Sequence, residues 1–196
     1  MNNVIPFTVF YTSLKLVETI KNCSDYIHIV LHMDVFSDDD IAIFISEPKV
    51  VPAYFADSSS IEKRFKDERG HFVFKEDNIM GVFGDKFTLI IRRSKKDVFN
   101  FSVIFGLSRG GNDIFRLRRY NGDHGEHTNI LEKGTPDWKF EGFHIHKATQ
   151  RYQELGIQEE GFAEKTNKYT DWKGALKCAM SENNCTIEVA PNQKRL

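Results

Sequence analysis

The 196-residue chain has few cysteines, no long apolar run and almost no net charge, and each scarcity excludes a class of protein. Its three cysteines, Cys23, Cys178 and Cys185, form no CxxC pair and leave an odd one over. We therefore expect free thiols in a reducing compartment rather than a disulfide framework. No apolar stretch is long enough to cross a membrane and no secretory leader is recognisable, so we predict a cytoplasmic protein with no membrane partner.

The balance of 27 basic and 28 acidic side chains gives no overall field that would attract nucleic acid. What the chain does have is 17 phenylalanines, enough aromatic surface for a packed core. From residue 70 onward, apolar segments alternate with short turns, which is typical of an antiparallel meander. The strands predicted in this region cover residues 71–74, 87–92, 99–107 and 114–120, followed by a strand that holds His144 and His146.

The predicted fold class is α+β, an antiparallel β meander with a few packed helices. We divide the chain into an N-terminal α/β extension of unknown role, residues 1–69, and a sheet domain, residues 70–196, that carries the histidines and arginines.

Local patterns predict the remaining elements. The spacing of apolar residues predicts helices at 11–21, 148–155 and 171–180, the last capped by Thr170 or Asp171. The other expectations are a strand at 26–33, an acidic turn at 38–40, a strand at 41–45, a helix-prone stretch at 57–70 capped by Ser58, Ser59 or Ser60, and a last strand near 186–189.

Four of the seven histidines fall in one short stretch that ends at His146. His124 and His127 follow a turn in which Gly122 stands where positive φ is tolerated. His144 and His146 are two residues apart, so on a strand both imidazoles leave the same face. We expect these four side chains to line one side of a cleft.

Histidine suits both proton-transfer roles in RNA cleavage because its unperturbed pKa lies close to neutral pH. Arginine can bind the phosphate through two parallel N–H donors, and Arg116 and Arg118 alternate with apolar residues in the period of a strand. We assign catalysis to His124, His127, His144 and His146. We assign substrate binding to Arg116, Arg118, Arg119, Tyr120, Asn121 and Thr128.

Two alternatives stay open. The primary assignment needs no cofactor and no metal, but the four imidazoles, with Asp123 or Glu126, could instead hold a divalent metal in a hydrolase. The chain could also be a non-catalytic binding or inhibitor protein of a phage or mobile element. In that case its function would survive loss of the histidines.

The order of these features resembles the TumE-like family of toxins from prokaryotic toxin–antitoxin modules. In that family an arginine-containing strand end precedes adjacent histidines, and a second histidine-rich strand follows. The corresponding segments here are Arg119-Tyr120-Asn121, then His124 and His127, then His144-Ile145-His146.

The resemblance covers roughly Phe99 to Met180. It departs from the family where Gly125-Glu126 separates the first two histidines and where Phe143 replaces the usual proline. The resemblance implies a growth-inhibiting toxin that acts on RNA as a ribonuclease and is neutralised by a cognate antitoxin protein. Oligomeric state is left open.

Overall fold

The computed structural model describes residues 35–188. Its helices are α1 (Asp38–Ser46), α2 (Ser58–Glu62), α3 (Gln150–Glu154) and α4 (Trp172–Glu182). Its strands are β1 (Lys49–Val51), β2 (Lys66–Glu68), β3 (His71–Gly81), β4 (Lys86–Ser94), β5 (Phe101–Gly110), β6 (Asp113–Asn121), β7 (His127–Thr128), β8 (Lys139–Phe140), β9 (His144–Lys147), β10 (Phe162–Lys165) and β11 (Cys185–Ile187).

Nine of the described strands form one sheet in the order β10-β9-β6-β5-β4-β3-β1-β11, with β2 paired to β3. Strands β3 to β6 are consecutive antiparallel neighbours, so the predicted meander and the α+β class are confirmed. The parallel pair β1 and β11 was not predicted. Strands β7 and β8 form a separate two-stranded hairpin.

The hydrophobic core lies on the face of the sheet that α4 covers. Strand residues such as Phe87, Leu89 and Phe105 are fully buried there. Helix α4 adds Leu176 and Ala179 to the same cluster. Each fully buried phenylalanine or leucine side chain stabilises the fold by about 2 kcal/mol relative to exposure, so this face fixes the sheet.

Residues 38–46 form α1 instead of the predicted acidic turn and strand. Ser37 caps the helix, because its hydroxyl accepts the backbone N–H of Asp40 at 3.1 Å while the Asp40 carboxylate accepts the N–H of Ser37 at 3.1 Å. Aspartates in the first turn also interact favourably with the helix dipole. The periodicity of such a short apolar run fits a strand and a helix equally well, and here the Ser37 cap favours the helix.

The helix-prone stretch at 57–70 is only the short α2, which is capped by Asp57 rather than by a serine and is followed by β2. Helices α3 and α4 confirm the predictions for 148–155 and 171–180. Asp171 is the N-cap of α4 and accepts the N–H of Gly174 at 2.7 Å. The last strand, β11, ends at Ile187.

The part of the predicted extension that the structure describes, residues 35–69, contributes β1 to the same sheet as β3. The helix expected at 11–21 and the strand expected at 26–33 lie outside the described residues. Among residues 35–188, no helix is long and apolar enough to span a bilayer. Cys178 and Cys185 are free, half-buried thiols, and burial raises the pKa of each to about 11.

Candidate metal centre

The register between β6 and β9 brings the predicted site together. Arg119 lies opposite His146, and Asn121 lies opposite His144. Cross-strand partners share a face of the sheet, so all four side chains leave the face opposite α4. The predicted meander therefore places two segments about 25 residues apart in sequence side by side.

A β-bulge separates two of the predicted arginines. The pairing of β5 with β6 skips Leu117, which is the extra residue. Arg118 consequently points to α4, where its guanidinium donates to Glu182 at 2.6 Å. Arg116 lies on the histidine face, 3.7 Å from the carboxylate of Glu159. The simple alternation that would put Arg116 and Arg118 on one face is wrong.

His144 and His146 are each anchored through one ring nitrogen. His144 Nδ1 donates to the backbone carbonyl of Gly142 at 2.7 Å, and His146 Nδ1 donates to that of Glu160 at 2.9 Å. A carbonyl oxygen can only accept, so both Nδ1 atoms carry the hydrogen. Each Nε2 therefore keeps its lone pair.

His127 comes from the β7–β8 hairpin and is anchored by Asn129. The ring Nε2 donates to Asn129 Oδ1 at 2.9 Å. The Asn129 amide is fully buried and exchanges two hydrogen bonds of 2.8 Å with the backbone of Ala163 on β10, as a neighbouring strand would. Because this pairing fixes which end of the amide accepts, His127 must donate through Nε2 and keeps its lone pair on Nδ1.

The three anchored imidazoles converge. One nitrogen from each of His127, His144 and His146 lies within 4.8 Å of the other two. Ring centroids are 4.6 Å apart for His127 and His146 and 4.9 Å apart for His144 and His146. The exposed His124 ring lies 5.7 Å from that of His144, so it stands at the solvent side of the cluster.

Asn121 occupies the space between the two buried imidazoles. Its Nδ2 lies 3.2 Å from Nε2 of His144 and 3.2 Å from Nε2 of His146. Its Oδ1 accepts the hydroxyl of Ser102 at 2.7 Å. The Tyr169 hydroxyl donates to the backbone carbonyls of Asn121 and His144, which ties β6 to β9 at this point.

Arg119 contacts the ring of His146 and lies close to the buried carboxylate of Glu160. One guanidinium nitrogen of Arg119 lies 3.2 Å from both ring nitrogens of His146. An atom can be this close to both nitrogens only if it lies over the face of the ring, so the guanidinium stacks on the imidazole. Glu160 is 1 % exposed and its carboxylate lies 3.6 Å from Arg119 Nε. Glu160 is therefore a buried carboxylate close to two arginines, Arg116 and Arg119, and not a solvent-exposed charge.

Burial controls the protonation of these groups. It lowers the pKa of His127, lowers that of His144 to about 4 and lowers that of His146 strongly, with Arg119 reinforcing the effect at His146. Burial also raises the pKa of Glu160. Neutral imidazoles at pH 7 are suited to metal ligation, whereas a histidine general acid normally uses the imidazolium form.

The remaining predicted residues lie apart from the cluster. Tyr120 is fully buried on the α4 side, where its hydroxyl donates to Glu182 at 3.1 Å. Thr128 is half-buried on β7, opposite Lys139. Gly122 is not in the left-handed region; a side chain there would overlap the carbonyl of Phe99, so glycine is required by close packing and not by φ.

A pocket of about 340 Å³ opens on the other face of the same strands. Its charged lining consists of four cationic and two acidic side chains. They are Arg118, Lys147, Lys165, Lys168, Glu164 and Glu182. Because Ile145 lines this pocket while His144 and His146 face the cluster, the sheet separates the pocket from the histidine cluster.

Sequence reasoning missed Ser102, Asn129 and Glu160. Asn129 follows His127 by two residues, a spacing that could have suggested an anchor. Glu160 precedes Gly161, where a side chain would overlap the ring of Tyr152, and nothing local signals its burial. Ser102 is visible only through the register of β5 against β6.

Comparison with family models, with curated proteins and with solved structures finds no match to this chain. Membership of the TumE-like family is therefore a prediction from the motif alone.

Proposed function

We propose that this protein is a metal-dependent hydrolase whose metal ion is bound by His127, His144 and His146. The observation that carries the proposal is the shared anchoring of the three rings. Each donates one N–H to a fixed carbonyl oxygen, and one nitrogen from each lies within 4.8 Å of the others. Metal-ligating histidines have this arrangement because the outer hydrogen bond fixes the tautomer and the ring orientation.

The donor set favours zinc. Three imidazoles without sulfur suit a borderline metal such as Zn²⁺, and catalytic zinc sites commonly take three protein ligands plus water. Tetrahedral ligand atoms around zinc are about 3.3 Å apart. The three imidazole nitrogens, which lie within 4.8 Å of one another, would therefore close by up to about 1.5 Å on binding. The bound ion would polarise a substrate oxygen or lower the pKa of a bound water.

The geometry supports a metal over catalysis by histidine alone. His144 and His146 are 1 % and 3 % exposed, and both Nε2 atoms point to Asn121 rather than to solvent. A histidine general acid normally acts as the imidazolium, and burial holds the pKa of both rings well below neutral pH. Of the four predicted catalytic residues, only His124 is exposed to solvent.

RNA is the substrate class to which the resemblance to TumE-like toxins points, and growth inhibition and an antitoxin partner rest on the same resemblance. The arginines assigned to phosphate are all engaged, since Arg116 and Arg119 lie near Glu160 and Arg118 pairs with Glu182. A polyanion would have to compete with these carboxylates.

The test is RNA cleavage by the purified full chain, measured with a strong chelator and after Zn²⁺ is added back. We expect cleavage to stop with the chelator and to return with the metal. His146→Ala should reduce the rate about a hundredfold or more, because the ligand is lost. His71→Ala is the matched control, since His71 lies at the start of β3, remote from the cluster in the sheet order, and should leave the rate unchanged.

Cleavage that resists the chelator but disappears in His124→Ala would contradict the metal-dependent mechanism. It would return catalysis to proton transfer by the exposed histidine.

A further inference from the structure

The side-chain amide of Asn121 lies between His144 and His146 and contacts both imidazoles. Its Nδ2 is 3.2 Å from two Nε2 atoms that both carry lone pairs, so the amide donates one hydrogen to each. In this state the carboxamide stands where a metal ion would make its contacts. The Ser102 hydroxyl holds the opposite end of the amide at 2.7 Å.

A rotation of 180° about the Cβ–Cγ bond exchanges the oxygen and the nitrogen of an asparagine with little change in shape. After rotation, Oδ1 would lie about 3.2 Å from both Nε2 atoms. Two ligand atoms bound to one tetrahedral zinc at bonds of about 2.0–2.1 Å are separated by about 3.3–3.4 Å. The observed spacing is therefore already that of neighbouring metal ligands.

The rotated amide would also keep its other partner. The serine hydroxyl can donate or accept, so Ser102 would accept from Nδ2 where it now donates to Oδ1. The rotation involves only the side chain, so the backbone of Asn121 does not need to move. Its carbonyl can keep the hydrogen bond of 3.1 Å from the Tyr169 hydroxyl. The hydrogen-bond partner on the far side of the amide is thus compatible with the exchange.

We propose that Asn121 is a two-state ligand of the metal site. Without metal its amide nitrogen closes the site by bonding His144 and His146, and with metal its rotated Oδ1 becomes an oxygen ligand beside the three imidazoles. This inference rests on the proposed metal site. A neutral amide oxygen is a weak ligand for zinc, so it would hold the ion while a water or substrate oxygen could still displace it.

The test measures Zn²⁺ affinity of the full chain by competition with a chromophoric chelator, in wild type, Asn121→Leu and Asn121→Asp. Leucine keeps the volume and removes the oxygen, so we expect affinity to fall about tenfold or more. Aspartate replaces the amide oxygen by a charged one, so we expect affinity to rise about tenfold or more. Co²⁺ bound in place of zinc should show a different visible spectrum in Asn121→Leu, because one oxygen ligand is missing.

Unchanged or tighter binding by Asn121→Leu would overturn the inference, because an amide that only blocks the site would compete with the metal. If Asn121→Leu does not fold by circular dichroism, Asn121→Asp decides alone, and unchanged or weaker binding would overturn the inference. His146→Ala separates the two claims: if it abolishes binding while the Asn121 variants do not alter it, the histidine site stands and the role of Asn121 fails.

Discussion

At the scale of single residues, Asn129 is the side chain on which the position of His127 depends. It is fully buried, and its Nδ2 donates at 2.8 Å to the backbone carbonyls of Asp137 and Ala163 while its Oδ1 accepts from the ring. Asn129→Asp keeps the shape but replaces both donated hydrogens by an acceptor. Leaving buried acceptors unpaired costs about 1–3 kcal/mol each.

We therefore expect Asn129→Asp to lower the free energy of unfolding by about 2 kcal/mol or more and to weaken Zn²⁺ binding. Urea denaturation and metal titration measure the two effects. Asn78→Asp is the matched control, since Asn78 is exposed on β3 and the change should stay within about 0.5 kcal/mol. Equal stability of the two variants would show that the hairpin does not depend on the buried amide.

The sequence predicts which histidines come together, but it does not predict how deeply they are buried. His144 and His146 share a face as their spacing predicts, and His127 joins them. The burial that lowers the pKa of the rings was not predictable, because Asn129 and Glu160, which accept hydrogen bonds from them, are polar residues whose own burial has no local sequence signal. Because this burial is not visible in the sequence, the sequence favours proton transfer by the histidines over metal binding.

At the scale of elements, β1 connects the ends of two helices through one buried lysine. Lys49 is fully buried, and its Nζ donates to the carbonyls of Phe44 at 2.6 Å, Glu47 at 2.7 Å and Asn183 at 3.1 Å. These carbonyls lie in or just after the last turns of α1 and α4, where a cation interacts favourably with the helix dipoles. The ammonium also lies 4.4 Å from the ring centroid of Phe87.

Lys49→Met keeps the apolar stem and removes the donors, leaving buried carbonyls without their partner. We expect the free energy of unfolding to fall by about 3 kcal/mol or more, measured by urea denaturation. Lys86→Met changes an exposed lysine on β4 and should have an effect within about 0.5 kcal/mol. A Lys49→Met protein as stable as Lys86→Met would refute the role of this lysine in joining the helices.

The elements that the sequence predicts correctly are those with strong periodicity or clear turns, namely β3 to β6 and α4. The errors share one physical cause, which is that short segments take their structure from caps and neighbours. The Ser37 cap makes a helix of residues expected to be a strand, and a bulge at Leu117 turns Arg118 to the far face.

At the scale of the whole molecule, the centre is built from distant parts of the chain that one sheet aligns. Asn121 comes from β6, His127 from the hairpin, and His144 and His146 from β9, with Asn129 anchoring the hairpin to β10. A metal bound only by the folded chain stabilises it by about 2.7 kcal/mol at a hundredfold excess over Kd. The proposed metal binding is therefore expected to raise the free energy of unfolding.

The three-histidine metal centre is tested by the equilibrium stoichiometry of Zn²⁺ on the metal-stripped full chain near pH 7.5, with His144→Ala and His71→Ala in parallel. We predict one ion per chain for the wild type and for His71→Ala, with no tight binding by His144→Ala. Binding that is absent from the wild type, or that survives intact in His144→Ala, would contradict the assignment of the three histidines as a metal centre.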